Sequence, residues 1–466
     1  MASADQTSES RRVIVVGGGI SGLACAYRLQ KSGLDVMLLE AAPYAGGLVG
    51  TVEKDGFLFE TGPQSFQGTD TLAALSRELD IESEVVNADP RAPRFIYRGK
   101  KLRKIPMSPQ ALATSSLLGA ASRWRVASEP FRKTQPPTEE ETIANFVRRK
   151  FGHEILEYLV APFVSGVYAG DPEKLSLRAA FPTLDEWERE YGSVLRGAKK
   201  SREAKGTAKG PPPLCSFKRG MHTMMDALVR TLGDRAQVNA AVESITRDGA
   251  AGRASYEVRF TQNGQMHSLR ASAVVMATPA YIASTLLERV SERLAATLSG
   301  IAYAPVAVIA TGYYARQFVS EPGGFGVLIP RSEGIRTLGT VFNSALFPGR
   351  APAGSATITS FVGGATDPGI VDEPEQEIAK IVTGENSALL QITGAPIAQA
   401  VWRHPKALPQ YNLGHGHIVE SIRDAERKLP GLFFAGNYLE GPALGKCVDE
   451  AFKTAEAAGK LLQGTT

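Results

Sequence analysis

Cysteine is scarce in this sequence of 466 residues, and long apolar segments are missing. The three cysteines, Cys25, Cys215 and Cys447, lie far apart and form no C-x-x-C pair. Such a set argues against a disulfide framework and favours a reducing compartment. No stretch approaches the roughly 18 consecutive apolar residues of a transmembrane helix, so we expect a protein that does not span a membrane.

Net charge and histidine content are also low. A formal net charge of +4 gives no reason to expect a nucleic-acid partner. The six histidines are dispersed except for His415 and His417. That H-x-H pair could ligate a metal, but no convincing third ligand accompanies it, and we expect no metal site. Residues 1–10 lack the apolar core of a signal peptide and the arginine-rich character of a transit peptide, which predicts a cytoplasmic protein.

The sequence does contain a complete dinucleotide-binding fingerprint near its start. The β-branched run 13–16 predicts a buried strand, segment 23–31 predicts a helix, and residues 36–39 predict a second strand. Between the first strand and the helix lies a G-x-G-x-x-G motif, which consists of Gly17, Gly18, Gly19, Ile20, Ser21 and Gly22. The strand before it, the helix after it and an acid about 20 residues further on make this signal far more specific than the glycines alone.

Each position of the fingerprint has a physical reason. Gly17 permits the tight turn from strand to helix, Gly19 lets the backbone approach a pyrophosphate, and Gly22 allows the helix to pack on the strand. The pyrophosphate then lies at the helix N-terminus, where backbone N–H groups are unsatisfied. Glu40 ends the second strand, where its carboxylate can accept hydrogen bonds from ribose hydroxyls and would repel the 2′-phosphate of NADP.

Segments after Glu40 resemble the amine-oxidase-like flavoproteins. Residues 41–51 contain a Gly-Gly pair that in this group lies along the FAD diphosphate, and residues 62–65 resemble the loop beside the isoalloxazine ring. Two later strands, 273–279 and 431–437, resemble those that return to the flavin domain. The resemblance implies FAD as the cofactor. Besides the fingerprint, it implies these contacts: Ala41, Gly47, Leu48, Gly62, Pro63, Gln64, Ser65, Val242, Gly436, Asn437, Pro442, Ala443 and Leu444.

Two positions depart from the pattern of this group. Asn437 stands where an acid is common, and Cys447 lacks the motif of those amine oxidases that link FAD to a cysteine. We therefore expect non-covalent FAD. No second G-x-G-x-x-G occurs in a strand–helix context, so NAD(P)H is not expected as electron donor and oxygen is expected to reoxidise the flavin.

The middle and C-terminal parts resemble the protoporphyrinogen oxidases. Segment 163–176 contains Gly166-Val167-Tyr168-Ala169-Gly170-Asp171 and ends in Leu-Ser, as in that family. Further family-like segments follow in the expected order, at 300–307, 324–330, 338–348, 361–364 and 409–415. The resemblance implies the oxidation of protoporphyrinogen IX to protoporphyrin IX. The substrate would lose six hydrogens in three FAD-dependent steps, with hydride transfer to the flavin and three O2 converted to H2O2.

A porphyrinogen has a flat apolar body and propionate arms, so its pocket needs apolar walls and a cation. The resemblance implies that Arg94 pairs with a propionate, since the guanidinium fork suits a carboxylate. It also implies an apolar wall formed by Leu328, Val341 and Phe361, with the backbone around Gly166 closing another side.

The expected fold class is α/β, with a Rossmann-like FAD-binding domain, a mixed-sheet substrate domain and a helical lobe. The FAD domain is predicted to be discontinuous, over residues 1–90, 215–280 and 408–466, with the helical lobe at 91–210 and the substrate domain at 281–407. Residues 91–133 carry eleven Lys or Arg and one acid, and a second basic run covers 196–209. Basic stretches with interspersed apolar residues suit an anionic bilayer, so we expect the lobe to lie peripherally on a membrane.

Three alternatives remain open at this stage. The first is oxidation of coproporphyrinogen III, whose two additional propionates would need more cations near the pocket. The second is another amine-oxidase-like enzyme, such as a carotenoid desaturase or a polyamine oxidase, although the carboxylates of a polyamine site are not evident. The third is a non-catalytic flavoprotein that binds a porphyrin. The sequence does not decide the oligomeric state, for which a homodimer is one option, or the physiological electron acceptor.

Overall fold

The β-strands define five sheets in the computed structural model, which describes residues 12–106, 109–132, 136–205, 212–248 and 255–463. Numbered in chain order, they are β1 Arg12–Val16, β2 Asp35–Leu39, β3 Thr51–Lys54, β4 Phe57–Glu60, β5 Phe66–Gln67, β6 Val85–Asn87, β7 Arg94–Arg98, β8 Lys101–Lys104, β9 Leu214–Phe217, β10 Ala236–Gln237, β11 Ala240–Asp248, β12 Ser255–Gln262, β13 Gln265–Ala271, β14 Ala273–Met276, β15 Tyr303–Tyr314, β16 Gly326–Leu328, β17 Thr337–Val341, β18 Ser355–Gly363, β19 Ala398–Pro409 and β20 Leu432–Phe434.

The α-helices are most frequent in residues 109–205, and the last of them follows the final strand. They are Ile20–Lys31, Asp70–Glu78, Pro109–Thr114, Ala120–Ser128, Ile143–Lys150, His153–Ile155, Ala161–Tyr168, Leu177–Ala180, Pro182–Tyr191, Val194–Lys205, His222–Leu232, Ala280–Leu287, Glu292–Ser299, Asn343–Leu346, Glu375–Leu390, His415–Lys428 and Leu444–Gln463. Among the described residues, no helix is both long and apolar enough to cross a bilayer.

The fingerprint region forms the centre of a parallel sheet with the order β10-β2-β1-β14-β20. Strand β1 pairs with β2 on one side and with β14 on the other. Alternate residues of β1 face opposite sides of the sheet, and both sides are covered. Val13 and Val15 pack against the core that includes helices Ile20–Lys31 and Leu444–Gln463, while Ile14 and Val16 pack toward the β11–β12–β13 sheet. Burial on both faces explains why the strand is a continuous β-branched run.

The second large sheet has seven strands in the order β19-β15-β18-β17-β16-β7-β8. Strand β7 pairs with β16 in parallel, and the other pairs are antiparallel. Strands β7 and β8 fall within residues 91–210, which the sequence analysis assigned to the helical lobe. That assignment was wrong for these two strands, because their backbone hydrogen bonds complete this sheet. The three-domain division as a whole stays a prediction.

A buried ion network stabilises the helical lobe. Lys150 lies 3.4 Å from Glu129 and 2.8 Å from Glu188, and each of these three side chains is 1% exposed. Arg149 pairs with Glu188 and Glu141. Removing one member would leave an uncompensated buried charge, so these cations serve the fold. The end of the second basic run, residues 206–209, lies outside the described residues.

Candidate active site

Four parallel strands end at one edge of the five-stranded sheet. The backbone beyond them is joined by hydrogen bonds: Gly17 N–H donates to Leu39 at 2.9 Å, Ala277 N–H to Val16 at 2.8 Å, and Ala435 N–H to Met276 at 3.0 Å. Glu40, the turn at Gly17, the Ala277 loop and the Gly436 loop therefore lie together. This carboxyl edge of a parallel sheet is where α/β proteins bind their ligands.

The three fingerprint glycines have different surroundings. Gly17 has φ of +106°, and a Cβ there would lie 2.9 Å from the Ala277 carbonyl group. A Cβ on Gly22 would lie 1.9 Å from the Gly17 carbonyl oxygen, so side-chain volume is excluded by the protein itself. A Cβ on Gly19 would meet no atom within 4 Å. Gly17 and Gly22 therefore serve backbone packing, whereas Gly19 borders open space at the start of helix Ile20–Lys31.

Glu40 organises the backbone of this turn. Its carboxylate accepts hydrogen bonds from Gly18 N–H at 2.6 Å and from Ala42 N–H at 2.8 Å. The Gly-Gly segment crosses the same turn, because Gly46 N–H donates to the Gly18 carbonyl at 2.8 Å. Ala41, Gly47 and Leu48 are exposed beside this turn, and Val242 lies two residues into a strand whose first residue, Ala240, donates to the Glu40 carbonyl at 2.8 Å.

Two aromatic rings that the sequence analysis did not assign hold the Gly436–Asn437 loop. Tyr411 O–H donates to the Asn437 carbonyl at 2.5 Å, and His415 Nε2 donates to the Tyr438 carbonyl at 2.9 Å. The rings of Tyr411 and His415 stack with centroids 4.2 Å apart. His417, the other half of the H-x-H pair, is 88% exposed. Within the described ranges, no three His, Cys, Asp or Glu side chains form a group that could hold a metal.

The loop that follows β4 joins the two large sheets. A Cβ on Gly62 would lie 2.1 Å from the Leu48 carbonyl oxygen, so this loop packs directly on the Gly-Gly segment. The Gln64 side chain donates to the Gly62 carbonyl at 2.8 Å and accepts a hydrogen bond from Asn343 at 2.6 Å. Pro63 is exposed and Ser65 is half-buried beside it. Residues 62–65 therefore lie between the sheet edge and the seven-stranded sheet.

The apolar residues predicted for the substrate wall share one face of the seven-stranded sheet. One row of paired residues runs Arg94–Gly326–Val341. The next row on the same face lies two residues further along each strand. In it, Leu328 pairs with Gly339, and Gly339 pairs with Phe361. Leu328, Val341 and Phe361 are all half-buried. The opposite face is closed by helix Glu375–Leu390, whose Asn386 bonds Thr340 and Ser360.

The same row extends to residues that the sequence analysis missed. Phe361 pairs with Val308, and Val308 pairs with Trp402 of β19. Trp402 is half-buried and packs near the β3–β4 hairpin. It is separated by many residues from every predicted wall position, so only strand pairing reveals its place.

Helix Ala161–Tyr168 faces this wall. A Cβ on Gly166 would lie 2.9 Å from Leu328 Cδ2. Phe163 lies three residues before Gly166 and four before Val167, so it neighbours both on the helix surface, and Phe163 and Val167 are 48% and 39% exposed. The i, i+3, i+4 spacing of Phe163, Gly166 and Val167 was the signal that could have predicted this second wall. Gly166 thus lets helix and sheet meet at Leu328, and this apolar junction, the slot, is bordered by the exposed Phe163 and Val167.

Arg94 is an open cation at the start of β7, at this end of the sheet. Its guanidinium lies 5.1 Å from the Phe325 ring centroid, and its side chain is exposed. Arg98 instead pairs with Glu154 at 2.8 Å. Arg103 donates to Ser116 at 2.9 Å. Both of these arginines therefore attach the sheet to the helical region.

Comparison with known proteins identifies the family. The sequence model described as "Flavin containing amine oxidoreductase" matches residues 20–460. The chain is 37% identical to the chloroplastic protoporphyrinogen oxidase of Oryza sativa subsp. japonica, covering 96% of this chain and 88% of that protein. The chain belongs to the flavin-containing amine oxidoreductases, in the protoporphyrinogen oxidase group. Membership makes it an FAD-dependent oxidoreductase.

Other relatives of this flavin-containing amine oxidoreductase agree with that grouping. It is 35% identical to the chloroplastic protoporphyrinogen oxidase of Nicotiana tabacum, over 96% of this chain and 85% of that protein. The chain is 27% identical to the coproporphyrinogen III oxidase of Bacillus subtilis, over 94% of this chain and 96% of that protein. A crystal structure from Exiguobacterium sp. 255-15 has a TM-score of 0.81 at 22% identity, with 97% of this chain and 99% of that chain covered. The last comparison shows the shared fold.

FAD, the cofactor of the flavin-containing amine oxidoreductases, fits the observed edge. The open space at Gly19 and the N–H groups of the first helical turn, which no side chain caps, suit a pyrophosphate. Thr278 Oγ1 is buried beside Gly17 with no partner among the described residues. The N-terminal turn of helix Leu444–Gln463, preceded by Pro442 and Ala443, lies on the same side because Cys447 contacts Ser21.

Cys447 itself is 4% exposed, and burial raises the pKa of its thiol to about 11. A buried neutral thiol is a poor nucleophile. Non-covalent FAD therefore stays the prediction for this chain.

Proposed function

We propose that this chain oxidises protoporphyrinogen IX to protoporphyrin IX with molecular oxygen as the acceptor. The observation that carries the proposal is the slot described above: an apolar sheet face, opposed by the helix of Gly166, with one open arginine at its end. A flat apolar tetrapyrrole matches the two walls, and Arg94 suits a propionate. The relatives at 35–37% identity support the same substrate.

The cation inventory favours two propionates over four. On β7 and β8 the substrate-facing side carries Arg94, Lys101, Arg98 and Arg103. The last two are occupied by Glu154 and Ser116. Two of these four cations are therefore engaged by the fold, whereas coproporphyrinogen III would present four carboxylates. The lower identity to coproporphyrinogen III oxidases, 27% and 25%, points in the same direction.

The protein's own part in the reaction is binding and orientation. FAD supplies two-electron oxidation when bound, so removal of six hydrogens takes three turnovers, with one O2 reduced to H2O2 in each. Leu328, Val341 and Phe361 fix the plane of the macrocycle, and Gly166 allows the opposing wall to approach. Arg94 fixes the rotation of the macrocycle about that plane. Apolar walls also exclude water from the reacting carbon.

Parallel aerobic turnover of protoporphyrinogen IX and coproporphyrinogen III tests the proposal. The purified yellow protein should form fluorescent porphyrin faster from protoporphyrinogen, with peroxide and porphyrin in a ratio near three to one. A preference for coproporphyrinogen would move the chain to the four-propionate reaction. Turnover of neither substrate by FAD-loaded protein would refute the proposal.

We propose further that the helical lobe lies peripherally on a cytoplasmic membrane surface. Support comes from exposed apolar side chains in a basic region: Trp124 is 71% exposed and Phe131 86%. Aromatic residues beside cations favour an anionic bilayer interface. Cosedimentation with vesicles tests this. Binding to anionic vesicles should exceed binding to neutral ones and should fall in a Trp124→Ser/Phe131→Ser variant; equal recovery with and without vesicles would refute the proposal.

A further inference from the structure

The segment Glu60–Gln64 receives three side chains from outside the FAD-binding sheet. Arg350 Nη2 lies 3.3 Å from Glu60 Oε1. His404 Nε2 donates to the Thr61 carbonyl oxygen at 2.9 Å. Asn343 Nδ2 donates to Gln64 Oε1 at 2.6 Å. The three donors lie on or beside strands β17, β18 and β19 of the seven-stranded sheet, so that sheet contacts the segment at its beginning, middle and end.

The Glu60–Arg350 contact is fully buried, with each side chain 1% exposed. Glu60 also accepts hydrogen bonds from Thr51 O–H at 2.6 Å and Met221 N–H at 3.0 Å. Burial raises the pKa of Glu60 to about 7, while the charges of Arg350 and His222 act in the opposite direction. A buried ion pair contributes little net stability compared with apolar residues of the same volume. Such a pair is better suited to fixing a geometry.

Arg350 extends the same contact network toward the FAD-binding part. Its Nη2 also donates to Ser216 Oγ at 2.6 Å and to the Phe217 carbonyl at 3.0 Å. The carbonyl oxygen of Arg350 accepts a hydrogen bond from Leu58 N–H at 3.1 Å. Arg350 therefore holds β4, β9 and the start of the segment together, and any shift of β18 relative to the segment would break several of these bonds.

We propose that Arg350, His404 and Asn343 form a clamp that holds segment Glu60–Gln64 in register with the substrate-binding face of the seven-stranded sheet. The clamp would set the distance between porphyrinogen and flavin, and this inference rests on the proposed function. All three are positioning residues. The reaction rate depends steeply on how the reactants are positioned, and a displacement of about 1 Å can lower it on the order of 100-fold.

Two substitutions in the FAD-loaded full chain test the clamp. Arg350→Met removes the charge at similar volume, and Asn343→Leu removes one amide contact without burying a new charge. Each should lower kcat at least about tenfold, change KM by less than about threefold, and alter the visible circular dichroism of the bound flavin. Should Arg350→Met fail to fold, Asn343→Leu decides the matter by the same criteria.

Glu129→Gln is the matched control. Glu129 is a glutamate of equal burial that pairs with a buried cation, and it accepts bonds from a hydroxyl and a backbone N–H. It lies in the helical lobe. It should lower the melting temperature while kcat and flavin dichroism stay unchanged.

Three results would overturn the clamp: kcat within about twofold of the parent in Asn343→Leu, unchanged flavin dichroism in both clamp variants, or an equal kcat loss in Glu129→Gln. Failure of the parent protein to oxidise either porphyrinogen would refute the proposed function. The flavin dichroism of the variants would then still decide whether the clamp positions the loop.

Discussion

Replacing Gly19 by valine distinguishes an effect on cofactor binding from an effect on the packing of the protein itself. Gly19 has φ of −70° and ψ of 178°, an extended conformation that a β-branched residue adopts readily. A Cβ there meets no atom within 4 Å. We therefore expect the cofactor-free variant to unfold with a free energy within about 0.5 kcal/mol of the parent.

The same substitution should abolish FAD binding, because the new side chain occupies the space assigned to the pyrophosphate. At a free FAD concentration of about 100 times Kd, binding stabilises the parent by about 2.7 kcal/mol. The Gly19→Val variant should gain none of this. Gly22→Ala is the contrast. Its Cβ would lie 1.9 Å from the Gly17 carbonyl oxygen, so it should cost about 1–3 kcal/mol even without FAD.

Thermal unfolding of cofactor-free protein, with and without added FAD, measures both effects. Flavin content after gel filtration provides an independent readout. The reasoning is refuted if Gly19→Val retains a full complement of FAD. It is equally refuted if that variant is destabilised as much as Gly22→Ala in the absence of FAD.

Three further predictions concern the substrate face and the clamp. Arg94→Ala should raise KM about 10- to 100-fold, since a hydrogen bond to a charged group is worth about 1.5–3 kcal/mol. The control variant Arg91→Ala should leave KM unchanged. Equal KM values for the two variants would remove Arg94 from the propionate role. Gly166→Val should narrow the slot and raise KM while FAD content stays normal, and an unchanged KM would place the substrate elsewhere. Because the pKa of Glu60 is raised from 4.5 to about 7, its contribution to stability should decline as pH rises from about 4.5 through about 7. The Glu60→Gln variant should lack this decline. The prediction is contradicted if the melting temperatures of the two proteins differ by a constant amount across that pH range.

Local sequence sufficed for the fingerprint part of the flavin edge because the elements of that part are contiguous. A β-branched run, a glycine turn, a helix and a strand ending at Glu40 lie within 29 residues, and short-range periodicity reports them. The open space at Gly19 is the physical counterpart of the motif. The fold class followed from the same pattern, since alternating strands and helices predict a parallel sheet.

The clamp and the full substrate face could not be predicted in this way. Asn343 and Gln64 are 279 residues apart, and His404 and Thr61 are 343 apart. The sequence around Arg350 does not indicate that its side chain is buried. Judged by its neighbours in the sequence, it resembles an ordinary surface arginine. The sequence analysis placed strands β7 and β8 in the helical lobe, whereas pairing of β7 with β16 places them in the sheet. Long-range pairing and burial of charge, which no single segment encodes, decide these positions.

The strand order of the flavin sheet has a consequence during protein synthesis. Strand β1 begins at residue 12, but its partner β14 begins at residue 273 and the edge strand β20 ends at residue 434. The cradle for the dinucleotide is therefore incomplete until residue 434 has left the ribosome. Pairing over such separations is slow because loop closure precedes any gain in contacts. Until β14 has been made, strand β1 lacks its partner on one side, so we expect chaperones that bind hydrophobic segments to contact the nascent chain and flavin uptake to follow the synthesis of β20.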